Sequence, residues 1–212
     1  MKILIGRNPN GTPLDLYFTD EVDLNPGLTV IVGRNGSGKT TFLHTMVEYC
    51  KNNKIPCYSY DNYTEGGDRA KEMYGFKGMY EDLFSVTFKS EGEQIYHNLG
   101  NRIHDIGVFV KKYKDNKELV ILLDALDSGF DTDGLKQIKN ICNLIISDNK
   151  DKDVYILITA NNYGLVKDCN CLDIRNNKYI RFDSYVEYEE FISNQYKLDR
   201  KREKEGEQNH AS

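Results

Sequence analysis

The chain has 212 residues, of which 39% are hydrophobic and 29% charged, and its formal net charge is −5. That balance suits a folded domain that buries a core without disulfides, and it argues against a protein whose main task is to coat nucleic acid, because phosphate affinity is largely electrostatic. No apolar run approaches the ~20 residues of a membrane span, so the expected location is cytoplasmic, with no direct insertion into a membrane.

In chain order, Lys2 to Ile5 and Leu14 to Phe18 read as early strands joined by a turn through Asn8-Pro9-Asn10-Gly11. The apolar stretch at Met1 to Gly6 is too short for a secretory signal. Pro26-Gly27 punctuates the chain before a strand over Leu28 to Val32, a helix follows from Thr40 to Cys50, and Ile55 to Tyr60 returns to strand. Residues 65–113 read as a helical subdomain, best supported over Gln94 to Tyr113, where Ile95, Leu99, Ile103, Ile106 and Val110 form one apolar stripe.

Leu119 to Leu123 is a fully apolar strand of the kind buried on both faces. The next helix carries Leu135, Ile138, Ile141, Cys142 and Ile145 on one side, and Val154 to Thr159 is another buried strand. Cys171 to Ile174 and Tyr179 to Phe182, joined through Asn176-Asn177, predict a hairpin. A last helix runs from Tyr185 to Leu198, and residues 199–212 read as a charged, frayed tail. The five cysteines, irregularly spaced, read as reduced thiols; Cys169-Asn-Cys171 has no second Cys/His pair near it in sequence. The tyrosines Tyr58, Tyr60, Tyr63, Tyr185 and Tyr188 mark either a recognition surface or, the plainer reading, the edge of the core. Alternating strands and helices give an α/β fold with a mainly parallel sheet.

Gly33-Arg34-Asn35-Gly36-Ser37-Gly38-Lys39-Thr40 fits G-x-x-x-x-G-K-[ST] in full, between a predicted strand and a predicted helix. Glycines let successive backbone N–H groups converge on one phosphate, and a helix start adds its dipole. Asn35, Gly36, Ser37, Gly38, Lys39, Thr40 and Thr41 are therefore the expected ATP-binding residues, with Lys39 on the β- and γ-phosphates and the Thr40 hydroxyl on Mg²⁺. Arg34 reads as a solvated loop side chain. Downstream, the buried strand ends in Asp124, the carboxylate expected to hold Mg²⁺ from the strand beside the loop. Between the two motifs stands Ser90-Glu91-Gly92-Glu93-Gln94, where Ser90 followed three residues on by Glu93 also has the form of a helix capping box.

Taken together, these motifs resemble the ATP-binding cassette superfamily over about Leu28 to Tyr163. The phosphate loop has that family's Asn-Gly-Ser-Gly-Lys form, SEGEQ stands where its signature does, and Ser128-Gly129-Phe130-Asp131 follows Asp124 as its D-loop does. The Arg-rich run that usually follows a transporter signature is absent. The chain looks more like the heads of chromosome-maintenance and DNA-repair ATPases and like small stand-alone ATPases. The resemblance implies a P-loop head with a helical signature subdomain and a head-to-tail homodimer closed on two ATP molecules. Ser90, Gly92 and Glu93 would then meet the partner's nucleotide, and the dimer would act on a protein partner or effector. A nucleic-acid partner stays open but is disfavoured by the net charge.

Three positions depart from that pattern. The carboxylate expected directly after Asp124 is Ala125, no His falls near Thr159-Ala160-Asn161, and Asp61-Asn62 replaces a Gln. ATP and Mg²⁺ binding is therefore expected, with slow hydrolysis. Asp127, two residues past Ala125, would face the same side in an extended segment and is the candidate catalytic substitute; its other role is to cap the next helix.

Overall fold

The computed structural model describes residues 1–5, 21–61, 93–125 and 131–210, with the side chains of 61, 93–102 and 200–210 outside that description. At its centre is a six-stranded sheet built on β3 (Gly27–Val32), β4 (Cys57–Asp61), β5 (Glu118–Asp124), β6 (Asp153–Thr159), β7 (Asn170–Asp173) and β8 (Lys178–Ile180), in the order β4-β5-β6-β3-β7-β8. All pairings are parallel except the β7–β8 hairpin, whose turn residue Asn177 adopts φ 49°. Asparagine tolerates that left-handed conformation better than most residues.

A parallel sheet needs cover on both faces, and the strand residues alternate between two cores. Leu119, Ile121 and Leu123 of β5 join Val154, Ile156 and Ile158 of β6 and Val30 and Val32 of β3 in one core. Their neighbours Val120, Leu122, Tyr155, Leu157 and Ile31 join the other. On the first side lie α2 (Glu93–Lys112), α3 (Thr132–Asp148), the short α4 (Tyr163–Val166) and α5 (Tyr185–His210). On the second side lies α1 (Lys39–Asn53), through Phe42, Leu43, Met46 and Cys50. All five residues of the expected α3 stripe are buried, and the helix is capped by Asp131, whose carboxylate accepts from Gly134 N at 2.8 Å.

Several expectations are corrected. β1 (Lys2–Leu4) pairs antiparallel with β2 (Glu21–Asp23) as a separate two-stranded sheet over α1. The expected strand Leu14 to Phe18 and its turn lie outside the described residues. Of the expected helical subdomain only α2 is described, and its Ile103, Ile106 and Val110 are buried in the main core with residues of β5 and β6. The last helix continues past Leu198 to His210, and Asp199, placed in a frayed tail from the sequence, is only 14% exposed, held by Arg34 and Arg175. Of the tyrosines, Tyr60 and Tyr188 are core residues, Tyr58 packs tilted against Phe109, and Tyr185 is exposed but meets Tyr163 edge-on. Tyr58 packs against the edge of the core, and Tyr63 lies outside the described residues. No helix among the described residues is long and apolar enough to cross a membrane.

Candidate functional site

Register determines where the site lies. Ile31 of β3 stands level with Thr159 of β6, and Leu123 of β5 with Ile158, so the carboxyl ends of all three strands reach one edge of the sheet. Asp61 at the end of β4 pairs with Asp124 and completes that edge. Ligands of open parallel sheets bind at this edge.

The loop from Gly33 to Gly38 leaves β3 there and turns straight into α1. Gly33, Gly36 and Gly38 have φ 154°, 79° and 90°, a region where side chains are strained. A Cβ on Gly33 would also lie 2.5 Å from Ser37 Oγ and 3.3 Å from Gln195 Oε1. Ser37 N donates to Arg34 O at 3.1 Å and closes the turn. Lys39 is 8% exposed, and its ammonium reaches back across the loop to Gly33 O at 2.7 Å and Arg34 O at 3.1 Å.

α1 begins without a side-chain cap, because Gly38 has none to give, and its first turn carries no acidic residue. An uncapped helix start leaves N–H donors for an anion, and its dipole favours negative charge. Ser37 Oγ is buried with no hydrogen-bond partner among the described residues. An orphaned hydroxyl in a glycine-rich loop, a lysine beside it and an uncapped helix fit the phosphates of a nucleotide.

Across the edge, Asp124 is 5% exposed. Thr159 Oγ1 donates to Asp124 Oδ1 at 2.5 Å and accepts from Ala125 N at 2.8 Å, so one hydroxyl ties the ends of β5 and β6 together. β5 is not the direct neighbour of β3: β6 lies between them, and Thr159 is the residue that sequence reasoning missed there. A buried carboxylate held this way is suited to a cation, since an isolated buried charge is costly. Mg²⁺ takes one or two protein oxygens plus phosphates, and Thr40, exposed in the first turn of α1, and the buried Asp124 are the residues that would supply the protein share. Among the described residues no group of three or more His, Cys, Asp and Glu side chains could hold a metal by itself. Cys171 is buried, with its thiol pushed up to about 12 by desolvation.

Ala125 is 4% exposed with φ 51°. The extended run from which the facing of Asp127 was read therefore stops at Asp124, and Asp127 itself lies outside the described residues, as do Ser90 and Gly92. Glu93 opens α2, with its side chain outside that description. Thr41 is the third residue of α1 and half-buried.

Arg34 is not a solvated loop residue. Its side chain is 22% exposed, and its guanidinium pairs through Nε with Asp199 Oδ2 and lies 4.9 Å from the Tyr196 ring centroid. Asp199 also accepts two bonds from Arg175, at 3.0 and 2.6 Å. Arg34 N donates to Gln195 Oε1 at 3.0 Å. Nothing local announces these contacts, which span 161 and 165 residues of sequence.

The parallel sheet, the glycine loop with its lysine and the strand-end aspartate define a P-loop nucleotide-binding domain. A family model described as "AAA domain" matches residues 17–211, and the chain belongs to that family of P-loop ATPases. No curated protein matches the chain.

The Asp199 carboxyl is held below its ordinary 3.8, first by the hydrogen bonds from Arg175, against desolvation, and then by Arg34. A carboxyl with a depressed folded value contributes stability that is complete above the unfolded value and is lost as pH falls through the folded one. The stability difference between wild type and Asp199→Asn, from urea unfolding, should therefore be full at neutral pH and shrink as pH drops below 3.8. A difference that stays constant down to strong acid would contradict this.

Proposed function

We propose that this protein is an ATP-driven switch of the ATP-binding cassette type. ATP and Mg²⁺ bind on Gly33 to Thr41 and Asp124, two chains close head-to-tail over two nucleotides, and the closed dimer controls a protein partner or effector. The observation that carries the reading is Lys39 lying buried across the glycine loop at the same sheet edge as Asp124. The order of motifs supports the finer assignment: phosphate loop, then SEGEQ, then the aspartate at the end of β5. In that arrangement Ser90, Gly92 and Glu93 meet the partner chain's nucleotide. Binding energy from the γ-phosphate selects the closed state, and loss of that phosphate reopens it.

Hydrolysis is slow in this reading. Ala125 occupies the position of the water-polarising carboxylate, and loss of a general base costs ~10²–10⁴-fold. A second reading, a non-hydrolysing ATP-gated interaction module, draws on the same residue, since Ala125 is buried and tied by its N–H to Thr159.

Two variants test the proposal. Lys39→Ala should reduce ATP affinity at least a hundredfold by calorimetry, about 3 kcal/mol for a charge-assisted contact to phosphate; unchanged affinity would remove the nucleotide site. Wild type should form dimers by light scattering only with ATP and Mg²⁺, while Ser90→Arg, with bulk and charge at the shared phosphate, should stay monomeric. Equal dimerisation of both would return SEGEQ to a plain helix cap.

A further inference from the structure

The contacts between α5 and the phosphate loop centre on one peptide unit. In a trans peptide the carbonyl and the N–H point in opposite directions. The Gly33–Arg34 peptide is gripped on both sides: its oxygen accepts from Lys39 Nζ at 2.7 Å, and its N–H donates to Gln195 Oε1 at 3.0 Å. Gln195 is 5% exposed, although most of its helix around it faces solvent.

One turn further along α5, Asp199 bridges two guanidiniums. Arg34 comes from the loop, and Arg175 comes from the turn after β7, where it is 5% exposed. Residues four apart share a helix face, so Gln195 and Asp199 address the loop together. Tyr196 adds its ring beneath the Arg34 guanidinium. Gly33 leaves no slack in this packing, since even a methyl group there would press on Gln195 Oε1 at 3.3 Å.

We propose that Gln195 and Asp199 are positioning residues for the phosphate loop, holding its first peptide in the orientation that receives nucleotide and coupling nucleotide binding to the seating of α5. This rests on the reading that the loop binds ATP. Lys39 has to share its donors with a phosphate once nucleotide arrives, whereas Gln195 Oε1 lies on the far side of the peptide and keeps its bond. The restraint from α5 is therefore the one that persists through binding. By reciprocity, whatever loosens α5 weakens ATP, and ATP tightens α5 by the same factor. The helix α5 then becomes the element through which a partner senses the nucleotide.

The test uses the full chain and Mg²⁺-ATP, with affinity from calorimetry and Tm from thermal unfolding. Gln195→Met keeps length and volume but removes the acceptor. It should weaken ATP about 5- to 30-fold, the effect of losing one hydrogen bond to a buried group, and should shrink the rise in Tm that ATP produces. A lower Tm with unchanged affinity would reduce Gln195 to a packing residue and overturn the inference.

Asp199→Asn is the second arm, and the sign of its effect is diagnostic. Removing a negative charge beside the loop would by electrostatics alone tighten binding of an anion; loss of positioning should weaken it. Tighter ATP binding by Asp199→Asn would therefore also overturn the proposal. Wild type that binds no ATP would overturn the nucleotide reading beneath it, whereas wild type that binds while Gln195→Met binds equally well overturns the positioning role alone.

Discussion

Parallel pairing of β3, β5 and β6 is the constraint from which the site follows. Three strands running the same way, with Ile31 level with Thr159 and Ile158 level with Leu123, must end at the same edge. The glycine loop and the aspartate are separated by most of the chain's first half, yet this pairing leaves them nowhere else to meet. A one-residue slip of β5 would turn Asp124 to the opposite face and exchange the two cores along the whole strand. Since Leu119, Ile121 and Leu123 serve one core and Val120 and Leu122 the other, packing and site register are fixed by the same residues.

On that edge, small polar groups do the fine placement. Thr159 uses a single hydroxyl to hold a carboxylate and a backbone N–H of the neighbouring strand. Ala125 can take its left-handed turn there because it brings little bulk into a closed space. The phosphate loop is fixed in a comparable way, with Lys39 on the inner side of its first peptide and Gln195 on the outer. These are short contacts between buried groups, and an unmade bond to any of them costs about 1–3 kcal/mol.

Much of this was legible in the sequence, for definite reasons. The phosphate loop could be read because the need for positive φ restricts its glycines and the lysine has a fixed offset. β5 and β6 could be read because strands buried on both faces become unbroken apolar runs. The α3 stripe followed from helical periodicity, and the β7–β8 hairpin from Asn176-Asn177. Glu21–Asp23 escaped because three residues with one buried position, Val22, carry no period. Thr159 looked only like the absence of a histidine, since its role depends on β6 standing between β5 and β3. Gln195 and Asp199 escaped most completely. They sit in a strongly charged helix whose composition suggests solvent, and their partner lies more than 160 residues away. Charge composition speaks to the average face of a helix, while two residues four apart are enough to commit it to a site.

In the proposed switch, Asp124 and the phosphate loop form one Mg²⁺-ATP site across the sheet edge. Calorimetric titration of ATP into wild type and Asp124→Asn, each with and without Mg²⁺, decides whether they do. Wild type should bind ATP more tightly when Mg²⁺ is present. Asp124→Asn should bind metal-free ATP as well as wild type does and gain little from Mg²⁺. An equal gain from Mg²⁺ in both proteins would place the metal elsewhere and separate the two halves of the site.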